Sequence, residues 1–349
     1  MLGRVIRAVT VLLSLSLAAG VVAFLWFQKW TDSPLSVTTA DDGKGLIVVL
    51  DDGEGLGSLS RRLSNEGTLD HPQALNLLGR ISGADAQLRP GEYEILSGTT
   101  PRELLKRLIA GDTVRYLLTL PEGITLAQGL DLIQEADGVS ATLTGVDDPQ
   151  LRALVTPYEI PEGLFLPESY QYERGVTDLE LLGSARRLLE EILQTAWAER
   201  DPSVPLDSPY DLLTLASIIE KETGVASERP EIAGVFARRL QRGMRLQTDP
   251  TVIYGLGEDY EGDLKRSHLR DERNPYNSYR HHGLPPSPIA LPGRGAIEAA
   301  ARPALGDALY FVARGDGSHT FSATLQEHEE AVARYQLQRR SDYRSSPPP

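Results

Sequence analysis

SPYDLLTLASIIEKETG, residues Ser208 to Gly224, is the stretch around which the rest of the chain can be organised. Ser208 suits an N-cap, Pro209 the first helical position, Asp211 can close a capping box, and Gly224 stands just past the last turn. The segment is expected to be one helix with defined ends. At about 100° per residue Leu212, Leu215, Ala216 and Ile219 share a face, and Leu213 and Ile218 widen the apolar arc to roughly 220°. Thr214, Ser217 and Lys221 fill what remains. Glu220 falls between Ala216 and Leu213, inside the apolar arc, and Glu222 falls inside its other side near Leu215. Two carboxylates are thus aimed at a mostly buried surface.

A carboxyl so placed either pairs with a cation, with Arg229, Arg238 and Arg245 at hand, or has its pKa raised by loss of hydration. The second outcome is what a general acid needs near neutral pH. Residues two apart on a helix do not face one another, so only one of the two glutamates can serve a given cleft.

Beyond this helix the chain is polar and aromatic. Met244 to Gly255 (MRLQTDPTVIYG), Asn274 to Tyr279 (NPYNSY) and Gly283 to Pro286 (GLPP) are expected to be loops and short strands within residues 244 to 293. Their Gln, Thr, Asn and Tyr groups are of the kind that bind sugar hydroxyls and acetamides. Asp249, before Pro250, reads as a turn residue. Asp316 to Phe321 (DGSHTF) reads as a turn into a strand, where His319 either lines a cleft or bonds locally. His281 and His282 are adjacent, and no pair stands at metal-binding spacing, so neither a metal nor a cofactor is expected.

Further helices fit Asp178 to Arg200 and Glu228 to Arg242, and a last strand and helix fit Tyr310 to Val312 and Leu325 to Leu337. Upstream, a strand at Gly45 to Leu50, helices at Leu56 to Leu63 and Ala74 to Leu78, a strand ending at Ile95 and a helix Pro101 to Ile109 form a small unit. The pattern restarts at Val114 with a strand over Tyr116 to Leu120 and a helix from Thr125 to Ala136. The fold class is α+β, with a small unit over 45–113, a larger one over 114–336 and a polar tail, 337–349.

Ala8 to Phe27 are 20 uncharged, mostly apolar residues, enough at about 1.5 Å each to cross a hydrocarbon layer of about 30 Å. Arg4 and Arg7 precede them, which favours a cytoplasmic N-terminus with everything after Trp30 exported. The apolar run continues past the small residues Leu17 to Gly20, so residues 1–30 read as a retained single-pass anchor, with Trp26 and Trp30 near its outer interface. Residues 31–44 read as a linker. The formal charge of −14 disfavours nucleic acid as a partner, and the absence of Cys excludes disulfides and thiolate metal sites.

The strings LASIIEKET (Leu215 to Thr223), Ser227-Glu228-Arg229, RRL (Arg238 to Leu240) and MRLQTDPTVIYG, with YNSY, GLPP, His319-Thr320-Phe321 and the upstream EGLFLPESY (Glu162 to Tyr170), resemble the endolytic murein transglycosylases, the MltG or YceG-like family. The resemblance spans residues 8 to 336. It implies an inner-membrane protein with a periplasmic catalytic domain, a LysM-like first unit, and cutting of the bond between N-acetylmuramic acid and N-acetylglucosamine in peptidoglycan. The muramyl 6-hydroxyl closes on the anomeric carbon to leave a 1,6-anhydro end. It further implies that the first Glu of the EKE triplet, Glu220, is the acid/base, with Glu222 structural or tuning it. Gln247, Thr248, Tyr276, Asn277 and Tyr279 are the substrate-binding candidates, and peptidoglycan synthases are candidate partners. The rival functions are a hydrolytic muramidase, for which Asp249 is the second carboxylate, and a non-catalytic wall-binding scaffold.

Overall fold

The structure is a computed structural model that describes residues 2–37 and 45–337. By its contacts the chain divides into two compact units, Met1–Tyr116 and Leu117–Pro349.

In the first unit α1 (Leu2–Thr31) contains a segment, Val9–Thr31, long and apolar enough to cross a membrane, with mean hydropathy 2.2 and no part of its most apolar window buried by the protein. Strand β1 (Leu46–Leu50) pairs antiparallel with β2 (Gly91–Ile95), from Leu46 opposite Ile95 to Leu50 opposite Gly91. Between them lie α2 (Leu56–Asn65) and α3 (Pro72–Ser82), and α4 (Pro101–Ala110) follows. The order strand, helix, helix, strand, helix is the one read from the sequence. Thr100 and Glu103 form a reciprocal capping box at the start of α4, and Gly111 ends it in the left-handed conformation at φ +69°. Leu56, Leu59, Leu63, Leu75, Tyr93, Ile95, Leu104 and Leu108 make the core, with Phe27 and Trp30 of α1 packed against it.

The end of α1 differs from expectation. Trp26 lies edge-on to His71 at 5.1 Å, and Arg102 binds Asp32 and Thr31, each at 2.8 Å. Thr31 is fully buried and the Leu35 N–H donates to the Thr99 carbonyl, so the expected linker is packed into the unit at least to Leu35. Residues 38–44 of that linker, and 338–349 of the expected tail, lie outside the described residues.

The second unit is built around the helix of the opening stretch. Before it come β3 (Tyr116–Thr119), α5 (Leu126–Gln134), α6 (Pro149–Leu154), β4 (Ser169–Tyr172), which pairs with β3, and α7 (Asp178–Ala198). The central helix, α8, runs Pro209–Glu222, and α9 (Arg229–Gln241), α10 (Asp249–Leu256) and α11 (Arg294–Ala301) follow. A hairpin of β5 (Tyr310–Ala313) and β6 (His319–Ser322) and then α12 (Leu325–Val332) close the unit. Residues 244–293 carry a helix, α10, and short 3-10 turns where short strands were expected. Asp-Pro here begins a helix, a reading equally open to a dipeptide that also starts turns.

α8 packs against α7, α9, α10 and α11. Every residue from Leu212 to Ile219 is buried, Thr214 and Ser217 included, so the stripe that the wheel left for solvent is covered as well. The Thr214 hydroxyl donates to the Tyr210 carbonyl, while that of Ser217 donates to the Thr214 carbonyl and accepts from the Ile289 N–H at 3.0 Å. Ser208 caps the Asp211 N–H, but the Asp211 carboxylate accepts from Asp207 rather than closing the box on Ser208. Ser217→Ala should leave the buried Ile289 N–H unpaired and lower stability by about 1–3 kcal/mol, read as a shift of the urea midpoint at unchanged slope.

Candidate active site

The two glutamates at the end of α8 meet different surroundings. Glu220 Oε1 accepts from Arg229 Nη2 at 2.9 Å, and Oε2 accepts from the Gly293 N–H at 2.9 Å. Its side chain is 4% exposed. The same Arg229 nitrogen reaches Glu122 at 2.8 Å, and Lys221 Nζ donates to the Gly123 carbonyl. Gly293 is needed at its place: a Cβ there would stand 1.8 Å from Glu122 Oε1. Burial raises the Glu220 pKa, while the Gly293 N–H and the Arg229 charge oppose the rise. Of the three arginines at hand, Arg229 is the partner. Arg238 instead donates to the Ala304 and Ala308 carbonyls.

Glu222 lines a cavity of about 640 Å³ together with Arg239, Gln247, Thr248, Asp249, Tyr279 and His319. Burial pushes its pKa up to about 7; the nearby Asp249 charge adds to the rise, and the Thr248 hydroxyl, which donates to Oε1, and the Arg239 charge oppose it. No arginine or lysine forms an ion pair with it among the described residues. Thr248 is held by Ser278, whose hydroxyl accepts from the Thr248 N–H at 3.0 Å. Tyr279 donates its phenol proton to Asp249 at 2.7 Å. Arg239 is buried and donates to the carbonyls of Leu309, Arg245 and Leu246 and to Gln247 Oε1. Among the described residues Gln247 is the one non-glycine with positive φ, at +53°, a strained conformation of the kind found at binding and catalytic sites.

A second cleft, of about 980 Å³, is lined by Glu162, Lys221, Ile253, Tyr254 and Tyr276 among others. Glu162 is 7% exposed and accepts from the Leu126 and Gly163 N–H groups and from the Tyr254 hydroxyl. Burial raises its pKa to about 7 against those bonds.

The sequence candidates therefore separate. Gln247, Thr248 and Tyr279 gather around Glu222, and Tyr276 lines the cleft of Glu162. Asn277 is fully buried and ties loops together, donating to the His268 and Asp271 carbonyls. Asp249, weighed as a partner of Glu220, stands instead beside Glu222. Arg239 was legible only as a member of the RRL string, and Glu162 only within EGLFLPESY; neither string announces burial. Among the described residues no group of His, Cys, Asp or Glu is arranged to hold a metal.

The profile of the YceG-like family matches residues 48–334, and the chain belongs to that family. A Bacillus subtilis relative named endolytic murein transglycosylase is 29% identical over 81% of this chain and 82% of its own length. Two Streptococcus pneumoniae relatives of the same name are 27% identical over 91% of this chain, which spans 63% of their length. The crystal structure of a YceG-like protein from Listeria monocytogenes, 28% identical, matches 82% of this chain and 98% of that one with a TM-score of 0.52.

Folding carries Glu222 from an unfolded pKa of about 4.3 to about 7. Between these values the folded state holds the extra proton, so the stability linked to this group is present below the unfolded pKa and lost as pH rises through 7. Glu222→Gln has no such loss. Its stability relative to the unsubstituted protein should rise from about pH 5 to about pH 8 in urea titrations, Glu162 cancelling between the two; a pH-independent difference would exclude the raised pKa.

Proposed function

We propose that this protein is a membrane-anchored lytic transglycosylase that cuts peptidoglycan glycan strands internally, with Glu222, in place of the expected Glu220, as the acid/base. The observation that carries the residue assignment is the contrast at the end of α8. Glu220 has both oxygens engaged, one by Arg229 and one by Gly293, whereas Glu222 lines the cavity and has its pKa pushed up to about 7 by burial. The names of the Bacillus and Streptococcus relatives support the reaction class.

On this reading Glu222 gives its proton to the oxygen between N-acetylmuramic acid and N-acetylglucosamine. The bond from that oxygen to C1 breaks, the muramyl 6-hydroxyl oxygen bonds to C1, and its proton returns to the Glu222 carboxylate. No water enters, so one carboxyl is sufficient. Arg239, three of whose four hydrogen-bond acceptors are backbone carbonyl oxygens, keeps its positive charge available to steady the carboxylate between the two transfers. The strand-helix-helix-strand order of the first unit supports a LysM-like, glycan-holding role. Arg4 and Arg7 support a cytoplasmic N-terminus, with both units in the periplasm and nascent strands from the synthases within reach.

Asp249 beside Glu222 favours one second reading, a hydrolytic muramidase using both carboxyls. Mass spectrometry of digested peptidoglycan separates the two: 1,6-anhydro-muramyl ends are expected, and reducing ends that gain a water would establish hydrolysis. Glu222→Gln should lower turnover by about 10³-fold or more with folding and glycan binding intact. Glu220→Gln should lower stability and retain measurable cutting. The reverse ranking in two folded variants would return the acid/base role to Glu220, and unchanged activity in both would leave a binding scaffold.

A further inference from the structure

The proposed reaction leaves one requirement unmet by Glu222. A 1,6-anhydro bridge forms on the face of the sugar that carries C6, which is also the face from which a β-linked oxygen departs. Between departure and closure the opposite face of C1 must be stabilised. The oxygen of the sugar's own 2-acetamido group can reach that face, and it bonds better when an acceptor holds the amide N–H. What the site must supply is a fixed hydrogen-bond acceptor.

His319 begins β6 and is 7% exposed. Glu228 grips it twice: Oε1 accepts its backbone N–H at 2.8 Å and Oε2 lies 2.8 Å from Nδ1. An ionised carboxylate only accepts, so Nδ1 carries the proton, and in the neutral imidazole the lone pair is on Nε2. The ring stands edge-on to Phe311, centroids 5.5 Å apart, which fixes its plane. His319 lines the Glu222 cavity while Glu228 does not. Nε2 has no protein hydrogen-bond partner among the described residues, and it is not a sealed, unsatisfied atom. On the same wall Gln247 Oε1 is taken by Arg239 and Asp249 Oδ1 by Tyr279.

We propose that His319, held in one tautomer by Glu228, accepts a hydrogen bond from the 2-acetamido N–H of the muramyl residue being cut. The inference rests on the transglycosylase reading above. As Glu222 protonates the departing oxygen and its bond to C1 breaks, the acetamido oxygen bonds to C1. The 6-hydroxyl oxygen then displaces it, its proton passing to Glu222, and the acetamide is restored. His319 gains and loses nothing but the hydrogen bond, and Glu228 is a positioning residue.

The test uses the full-length protein in detergent with purified glycan strands, comparing His319→Ala, His319→Gln and His319→Asn. His319→Ala should lose about 100-fold in kcat with KM changed by less than about threefold. Added imidazole should restore part of that loss. Gln, which can bring an amide oxygen near the position of Nε2, should retain more activity than Asn, whose side chain ends near Nδ1. Should the Ala variant fail to fold, the Gln and Asn ranking alone decides. A folded Ala variant with unchanged kcat would overturn the proposal, as would a loss relieved neither by imidazole nor by Gln. If the unsubstituted protein yields no anhydro ends, the transglycosylase reading fails instead, independently of every His319 variant.

Discussion

The second unit depends on the burial of α8 from all sides. Packed against four other helices, α8 has no solvent-facing stripe from Leu212 to Ile219, so each polar group buried on it must be answered by the protein or leave its ordinary charge state. Thr214 and Ser217 are answered by carbonyls one turn back. Glu220 is answered from afar, by an arginine at the start of α9 and by the N–H of Gly293 just before α11. Glu222, one turn-fraction further on, meets a hydroxyl and a neighbouring carboxylate, and its proton affinity rises with no ion pair among the described residues to oppose it. The same desolvation therefore acts on a carboxylate held in an ion pair at one position and, two residues later, on the carboxyl proposed as the proton donor.

Much of this was legible in the sequence. Ser208, Pro209 and the apolar arc located α8, and the wheel put both glutamates inward. The wheel could not say which would be paired, because pairing is decided by groups that lie 9, 73 and 26 residues away in the chain, Arg229, Gly293 and Thr248. The sequence held the two outcomes open: Glu220 shows both, paired with Arg229 while burial still raises its pKa, and Glu222 shows the second with no ion pair among the described residues. α11 escaped notice for a different reason. Five of its eight residues are buried, four of them alanines, and Ala contributes little to an amphipathic signal while allowing the close approach of α11 to α8. The first unit was the more readable one because its helices carry local signals, such as the Thr100 and Glu103 box, that need no distant partner.

Around Glu222 the wall is made rigid by backbone as much as by side chains. Arg239 is clasped by carbonyls from the turn after α9 and from the start of β5, so a single cation ties two segments to the cavity. Gln247 is held in a strained conformation by the Ser278 carbonyl on one side and Arg239 on the other. Such a wall cannot easily relax toward a ground-state ligand. It suits a site whose strongest interactions are made with a distorted sugar.

The docking of α1 has a mechanical consequence. Phe27 and Trp30 are part of the packing of the first unit, and Arg102 bolts the last turn of the helix to α4. Helix and unit thus form a single lever. If α1 spans a bilayer, a mismatch between its apolar length and the bilayer thickness is taken up in part by tilt, and the packing of its last turn carries that tilt to the strand pair β1 and β2. The lipid then becomes a goniometer for the unit proposed to hold the glycan.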